Sequence, residues 1–323
     1  MGQKAGQKWT AAAKLLPTFP KSDRLPGPCL YPWPAVRPCF AGTLRASACG
    51  DAPPGGGSPP PWLEDPNPMS SPLADRIHQH LHTVAGLRAA RDADPLLAAW
   101  VKALKAYQSR RFAATYDDLL AEPRYQAATR FFLDELYGPQ EFAERDTQFG
   151  RVVPALVRLF PHEVVQAVEQ LGQLHALSET LDDAGARHLM QQLAPGTAVD
   201  ALAYARAWQA TGRADARELQ IALILGIGQA LDGFTRSRLL RSSLRLMRGP
   251  AQAAGLAALQ RFLEAGFEAF AALQGAAPFM AWVGERERAL VVALFDPQAL
   301  PALLACRHGA LPRSALGPLA QLP

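Results

Sequence analysis

From Ser71 onward, apolar side chains return every three or four residues for most of the chain. That spacing follows one face of an α-helix and not the alternation of a half-buried strand. Leu73, Ile77, Leu81, Val84 and Leu87 open the series, and Leu97, Trp100, Val101, Leu104 and Tyr107 continue it. Ser71 before Pro72 and Asp94 before Pro95 read as N-caps with proline in the first turn. Pro123, Gly138-Pro139, Pro161 and Pro195-Gly196 each mark a stop or a start. A short helix is expected to end near Phe149, with Pro154 interrupting the apolar period beyond it. One long helix is expected over 162–193. Further helices are expected over 200–211, 215–234, 237–247, 251–274 and 278–295.

Ile221-Ala222-Leu223-Ile224-Leu225 is the best strand candidate, but it sits inside a longer segment of helical period. No internal repeat of solenoid length is visible. The fold class is therefore all-α, a single multi-helix bundle spanning 69–297. Within it, the helix carrying Gly226 and Gly228 is expected to be the most buried, with Gln229 and Asp232 needing partners.

Composition changes sharply at Met69. Residues 1–68 hold 14 of the 28 prolines, three of the four cysteines and four of the six lysines. Runs such as Pro59-Pro60-Pro61 lack the donors that a helix or ladder needs. This stretch reads as a disordered Pro/Gly-rich extension, without the apolar core of a secretory signal. Met69 is the expected native start. Residues 298–323, rich in Pro, Ala and Leu without a clean period, read as a loose tail.

The charge outside the extension is close to neutral, so a nucleic-acid partner is disfavoured despite a formal net charge of +4 for the whole chain. No run of apolar residues is long enough for a membrane-spanning helix. Cys306 is the one cysteine after Cys49, which excludes a thiolate zinc site from the body and points to a reducing cytoplasm.

Familiar catalytic patterns miss by one residue. Gly226-Ile227-Gly228-Gln229-Ala230-Leu231 has Leu231 where a dinucleotide turn needs a third small residue. Close helix packing through the two glycines is the simpler reading. His162-Glu163-Val164-Val165-Gln166 has Gln166 where a zincin needs its second histidine. His78, His80 and His82 read as surface side chains.

Three polar groupings remain. On the long helix, His175, Glu179 and Asp183 are four apart, with Asp182 seven beyond His175. The simpler reading is a helix flank with a hydrogen-bonded His and exposed acids; facing a bundle interior, the same stripe could hold a metal, and these four are the candidate metal ligands. Near the Phe131-Phe132-Leu133-Asp134-Glu135 block, Glu135, Arg145, Asp146, Arg151 and Arg158 could form an ion network or a pocket for an acid or phosphate group. Arg238, Arg241, Arg245 and Arg248 form a basic stripe, most simply a solvated face paired with nearby acids, and otherwise a surface for an acidic partner, a nucleic-acid backbone or a membrane.

The stretch FFLDELYGPQEF, followed by ERDTQF and RVVP, and the later LMRGPAQAAGLAALQRFLEAGFEAF resemble a helical family of uncharacterised proteobacterial proteins. The likeness covers about 73–295. It implies a bacterial domain of unknown function and supplies no catalytic residues. The expectation is a non-enzymatic cytoplasmic helical protein that binds a protein partner, a second copy of itself or a small ligand. The alternative is a metal- or cofactor-dependent helical enzyme built on the His and carboxylate cluster, its cofactor unspecified.

Overall fold

The computed structural model describes residues 71–136 and 143–323. The extension over 1–68, the start at Met69 and the Gly138-Pro139 stop lie outside these residues. Among the described residues every regular element is a helix. In order they are α1 (Pro72–Asp92), α2 (Pro95–Thr115), α3 (Asp117–Ala121) and α4 (Pro123–Phe131), which runs into a π-turn over Phe132–Leu136. Then come α5 (Ala143–Leu159), α6 (His162–Gln192), α7 (Ala201–Thr211), α8 (Ala214–Thr235) and α9 (Arg238–Leu246). The chain continues through α10 (Arg248–Ala253), α11 (Ala257–Ala272), α12 (Ala277–Phe295), α13 (Ala299–Arg307) and a 3₁₀ segment over Arg313–Gln321. Ile221–Leu225 lies inside α8, so no sheet is built from it.

Local signals set several boundaries. The Asp94 carboxylate accepts from Leu97 N at 3.1 Å, with Pro95 filling the first turn of α2. Asp200 caps α7 in the same way, accepting from Ala203 N at 2.8 Å. Gly212 ends α7 in the left-handed region at φ 63°, where a side chain would be strained. Ser71 occupies the cap position of α1 but its hydroxyl makes no capping bond.

Helix α6 is the axis of the bundle, with α1, α2, α7 and α8 packed along it. Three apolar clusters surround it. The first joins the early part of α2 and the end of α6 to α7, the end of α12, α13 and the C-terminal segment. The second is aromatic, with Phe112, Tyr116, Tyr125, Phe131 and Phe132 against Phe262, Phe270 and Phe279. The third is small, with Leu73 and Ile77 of α1 against Val153 and Val165.

Four expectations are revised. Residues 298 onward are no loose tail: Leu303, Leu316, Leu319 and Leu322 are buried in the first cluster. Tyr107 Oη donates to Pro323 O at 3.5 Å, and Arg313 holds Ala320 O and Leu322 O. Short 3₁₀ packing leaves no long apolar period in the sequence. Helix α5 continues through Pro154, which faces solvent while Val153 beside it is fully buried. Burial of that stripe outweighs the hydrogen bond proline removes.

The α8 helix is not the most buried element; α7 is, with Leu202, Ala203, Tyr204, Ala205, Ala207 and Trp208 all buried. Gln229 is exposed, because that face of α8 turns to solvent. Asp232 does find partners, accepting from Ala276 N at 3.0 Å and Arg236 at 2.5 Å. The glycine reading holds at Gly228: a Cβ there would stand 2.5 Å from Met280 Sδ, so α8 and α12 approach through it.

Candidate functional site

Between the first and second apolar clusters the helices leave a cavity of about 130 Å³. Its polar wall comes from five helices around the axis. Helix α2 presents Lys105, Gln108 and Arg111, three residues apart and so on one face. Helix α6 presents His175, Ser178, Glu179 and Asp182; α7 presents Tyr204 and Trp208; α8 presents Arg217 and Gln220; α12 presents Glu287. Arg145 and Asp146 of α5 stand at the near end, and Leu171, Leu174, Ile221, Ile224 and Phe262 supply apolar wall.

Most of the charges are paired. Arg111 Nη1 donates to Glu287 Oε1 at 2.5 Å, and Tyr116 Oη donates to the same oxygen at 3.0 Å. Burial pulls the Arg111 guanidinium down, but Glu287 beside it more than compensates and holds its proton firmly. Lys105 Nζ reaches Glu179 Oε1 and Arg91 Nη1 reaches Glu179 Oε2, both at 2.5 Å. Burial pushes the Glu179 carboxyl up, yet Lys105 and Arg91 overcome it and bring it to about 2.

Asp182, one turn away, behaves oppositely. It is buried, accepts from Gln108 Nε2 at 2.9 Å, and has no cation bonded to it. Burial raises its carboxyl above the usual range, because Lys105 acts only from a distance and Glu179 repels. His175 Nε2 lies 2.8 Å from Asp146 Oδ2, and Arg88 Nη2 donates to that oxygen at 2.6 Å. Burial opposes the Asp146 charge, but His175 and Arg88 hold its carboxyl below the ordinary value.

Three buried polar atoms in this wall have no protein partner: Arg111 Nε, Tyr204 Oη and Trp208 Nε1. Tyr204 and Trp208 are one turn apart on α7, with ring centroids 5.6 Å apart, and the Arg217 guanidinium lies 4.1 Å over the Trp208 ring. Burial pushes the Tyr204 phenol up, so it keeps its proton at neutral pH. All three atoms can therefore donate, and native interiors rarely leave such groups unbonded.

The sequence candidates divide accordingly. His175, Glu179, Asp182, Arg145 and Asp146 reach the cavity. Asp183 turns away, held by Arg91 Nε at 3.4 Å and Arg187 Nε at 2.8 Å. Among the described residues no group of three histidine, cysteine or carboxylate side chains is placed to hold a metal ion. Arg145 Nη1 donates to Glu135 O at 3.0 Å and its guanidinium lies 4.3 Å over the Phe262 ring. Arg151 leaves that grouping for Ala254 O at 3.1 Å, and Arg158 is exposed.

On α9, Arg238 and Arg245 are exposed, while Arg241 donates to Thr235 O at 3.2 Å. Arg248 pairs with Glu264 at 2.6 Å. His78 and His82 are exposed, and His80 lies 3.3 Å from Glu169. No single helix among the described residues is long and apolar enough to cross a membrane.

Arg111, Tyr204, Trp208, Arg217 and Glu287 were not anticipated as site residues. A signal existed. Glu287 falls on the apolar stripe Val283, Leu290 and Leu294 of α12, and Arg111 on the stripe Leu104, Tyr107 and Thr115 of α2. Arg217 likewise precedes Ile221 and Ile224 on α8. A charge at a core position of a helix is a site signal when a partner helix repeats it.

Residues 87–301 match the family described as Domain of unknown function (DUF8198), about two thirds of the chain. Every cavity-lining residue except Leu81 falls within that span. No curated protein and no solved structure matches the chain.

Proposed function

We propose that this chain, which belongs to the DUF8198 family, is a small-molecule-binding protein whose ligand sits in the cavity around α6. The observation that carries this reading is the set of three unpartnered donors, Arg111 Nε, Tyr204 Oη and Trp208 Nε1, on one buried wall. Leaving a buried donor unmade costs about 1–3 kcal/mol, so three together favour an acceptor-bearing occupant. The apolar remainder of the wall suits the carbon skeleton of such a ligand.

The test is native mass spectrometry of the purified full chain, followed by thermal-shift screening of carboxylates, carbonyl compounds and phosphate esters. Binding that falls at least tenfold in Tyr204→Phe and Trp208→Phe supports the reading. Ligands that bind equally to the wild type and both variants, or none at all, overturn it.

A second reading, a helical enzyme, is favoured by Asp182. Burial raises the Asp182 carboxyl above the usual range, which suits it better than an ordinary carboxylate to exchange a proton with a bound molecule. Turnover of a ligand identified by the first experiment, lost in Asp182→Asn while binding persists, would establish that reading.

A further inference from the structure

We propose that the ligand is a carboxylate-headed amphiphile, its head against Arg111, Tyr204 and Trp208 and its alkyl tail in a second, apolar chamber. This deepens the small-molecule reading and rests on it. The second chamber, about 140 Å³, lies between α6, α8 and α11. It is lined by Phe131, Val164, Ala167, Ile227, Leu231 and Phe270 among others, all apolar. Val168, Leu171, Leu174, Ile224, Phe262 and Leu263 line both spaces, so the two chambers share one wall.

The wall changes character smoothly along two helices. On α6 the lining runs from Asp182, Glu179 and His175 to Leu174 and Leu171, then to Ala167 and Val164. On α8 it runs from Arg217 and Gln220 to Ile221 and Ile224, then to Ile227 and Leu231. The gradient runs backward along α6 and forward along α8, so both walls turn from charged to oily in the same direction. From Asp182 to Val164 the helix rise is about 27 Å, a path suited to a chain molecule rather than a compact one.

Charge favours an anionic head. The polar chamber is lined by Lys105, Arg111, Arg145 and Arg217 and by Asp146, Glu179, Asp182 and Glu287, with Lys105 bonded to Glu179 and Arg111 to Glu287. Asp182 is the carboxyl whose ionisation burial opposes. Burial opposing the Asp182 charge weakens the repulsion this wall would offer an anion. A carboxylate also accepts from several donors at once, which matches the three available here.

The test uses the full chain, calorimetric titration, and straight-chain saturated carboxylates of about six to twelve carbons, with dodecanol as the uncharged-head control. Affinity is expected to rise about fourfold per methylene until the chamber is filled. Dodecanol is expected to bind at least tenfold more weakly than the matching acid. Ala167→Phe, on a half-buried position of the chamber, should flatten the dependence on length and leave the six-carbon acid unchanged. Ile227→Phe on the opposite wall carries the same expectation if Ala167→Phe does not fold.

Affinity independent of chain length, dodecanol binding as well as the acid, or a length dependence untouched in both variants overturns the amphiphile. So does binding of no acid at all. In that case the small-molecule reading survives only if the mass-spectrometric and thermal screens reveal another ligand lost in Tyr204→Phe and Trp208→Phe. Otherwise both fall.

Discussion

Arg111 on α2 and Arg245 on α9 are the same residue on the same kind of element, yet they live in different surroundings. Arg111 is buried and lines the cavity, bonded to Glu287 through Nη1 while its Nε has no protein partner. Arg245 stands in solvent on a helix with no buried residue at all. The difference lies in the partner helix: α12 sets Glu287 against Arg111, whereas α9 packs against α8 and α11 without burying any of its residues. An arginine stripe visible in sequence is thus a poor guide to where arginine matters. One carboxylate on an apolar stripe is a better one.

The sharpest way to break this contrast is Glu287→Ala. It leaves Arg111 buried without its counter-charge, and removing one member of a buried pair costs about 3–5 kcal/mol. Chemical denaturation should show the midpoint fall accordingly. The double variant Arg111→Met with Glu287→Leu should be much milder. A Glu287→Ala variant as stable as the wild type would mean that Arg111 does not need Glu287.

Acid probes the neighbouring pair. The Glu179 carboxyl titrates at about 2 in the folded chain against 4.5 ordinarily. A depressed carboxylate contributes stability that is full above the ordinary value and lost as pH falls through the folded one. Denaturation followed from pH 5 down to pH 2 should therefore lose about 3 kcal/mol from this group. Lys105→Met should weaken the effect by removing one of the two cations that cause it.

Asp182 supplies the opposite sign. Its carboxyl is raised, so the unfolded chain gives up the proton first as pH climbs, and stability declines through that window. Asp182→Asn keeps an acceptor for Gln108 and removes the unwelcome charge. It should raise stability at pH 7, and the gain should vanish below the ordinary carboxylate range. A destabilised Asp182→Asn protein at pH 7 would place a cation closer to Asp182 than Gln108 is.

These three residues also show how far the sequence could be read. Apolar period and proline punctuation place most helices, because burying a stripe is the force that makes a helix persist in a bundle. Val153 shows that force overriding Pro154, and Leu316 and Leu319 show it acting where the turn is too tight to leave a period. His175, Glu179 and Asp182 are legible in sequence as one polar stripe because they share one helix, but spacing favours exposed acids and only the packing around α6 buries Glu179 and Asp182. Arg111, Tyr204, Trp208 and Glu287 come from α2, α7 and α12. Their meeting depends on how helices cross, which no local spacing records.

The smallest effect belongs to α9. Arg238→Glu with Arg245→Glu changes two exposed side chains that hold no buried carboxylate, and surface changes of this kind stay within about 0.5 kcal/mol. Stability at pH 7 and carboxylate affinity should both be unmoved. Arg241 differs by two contacts, since its guanidinium lies 5.6 Å over the Phe267 ring and donates to Thr235 O. Arg241→Ala should therefore cost slightly more than the double reversal, although it removes only one charge. If the double reversal proved the more costly, the stripe would be holding acidic groups of the chain, and the division between buried and solvated arginine would have to be redrawn around α9.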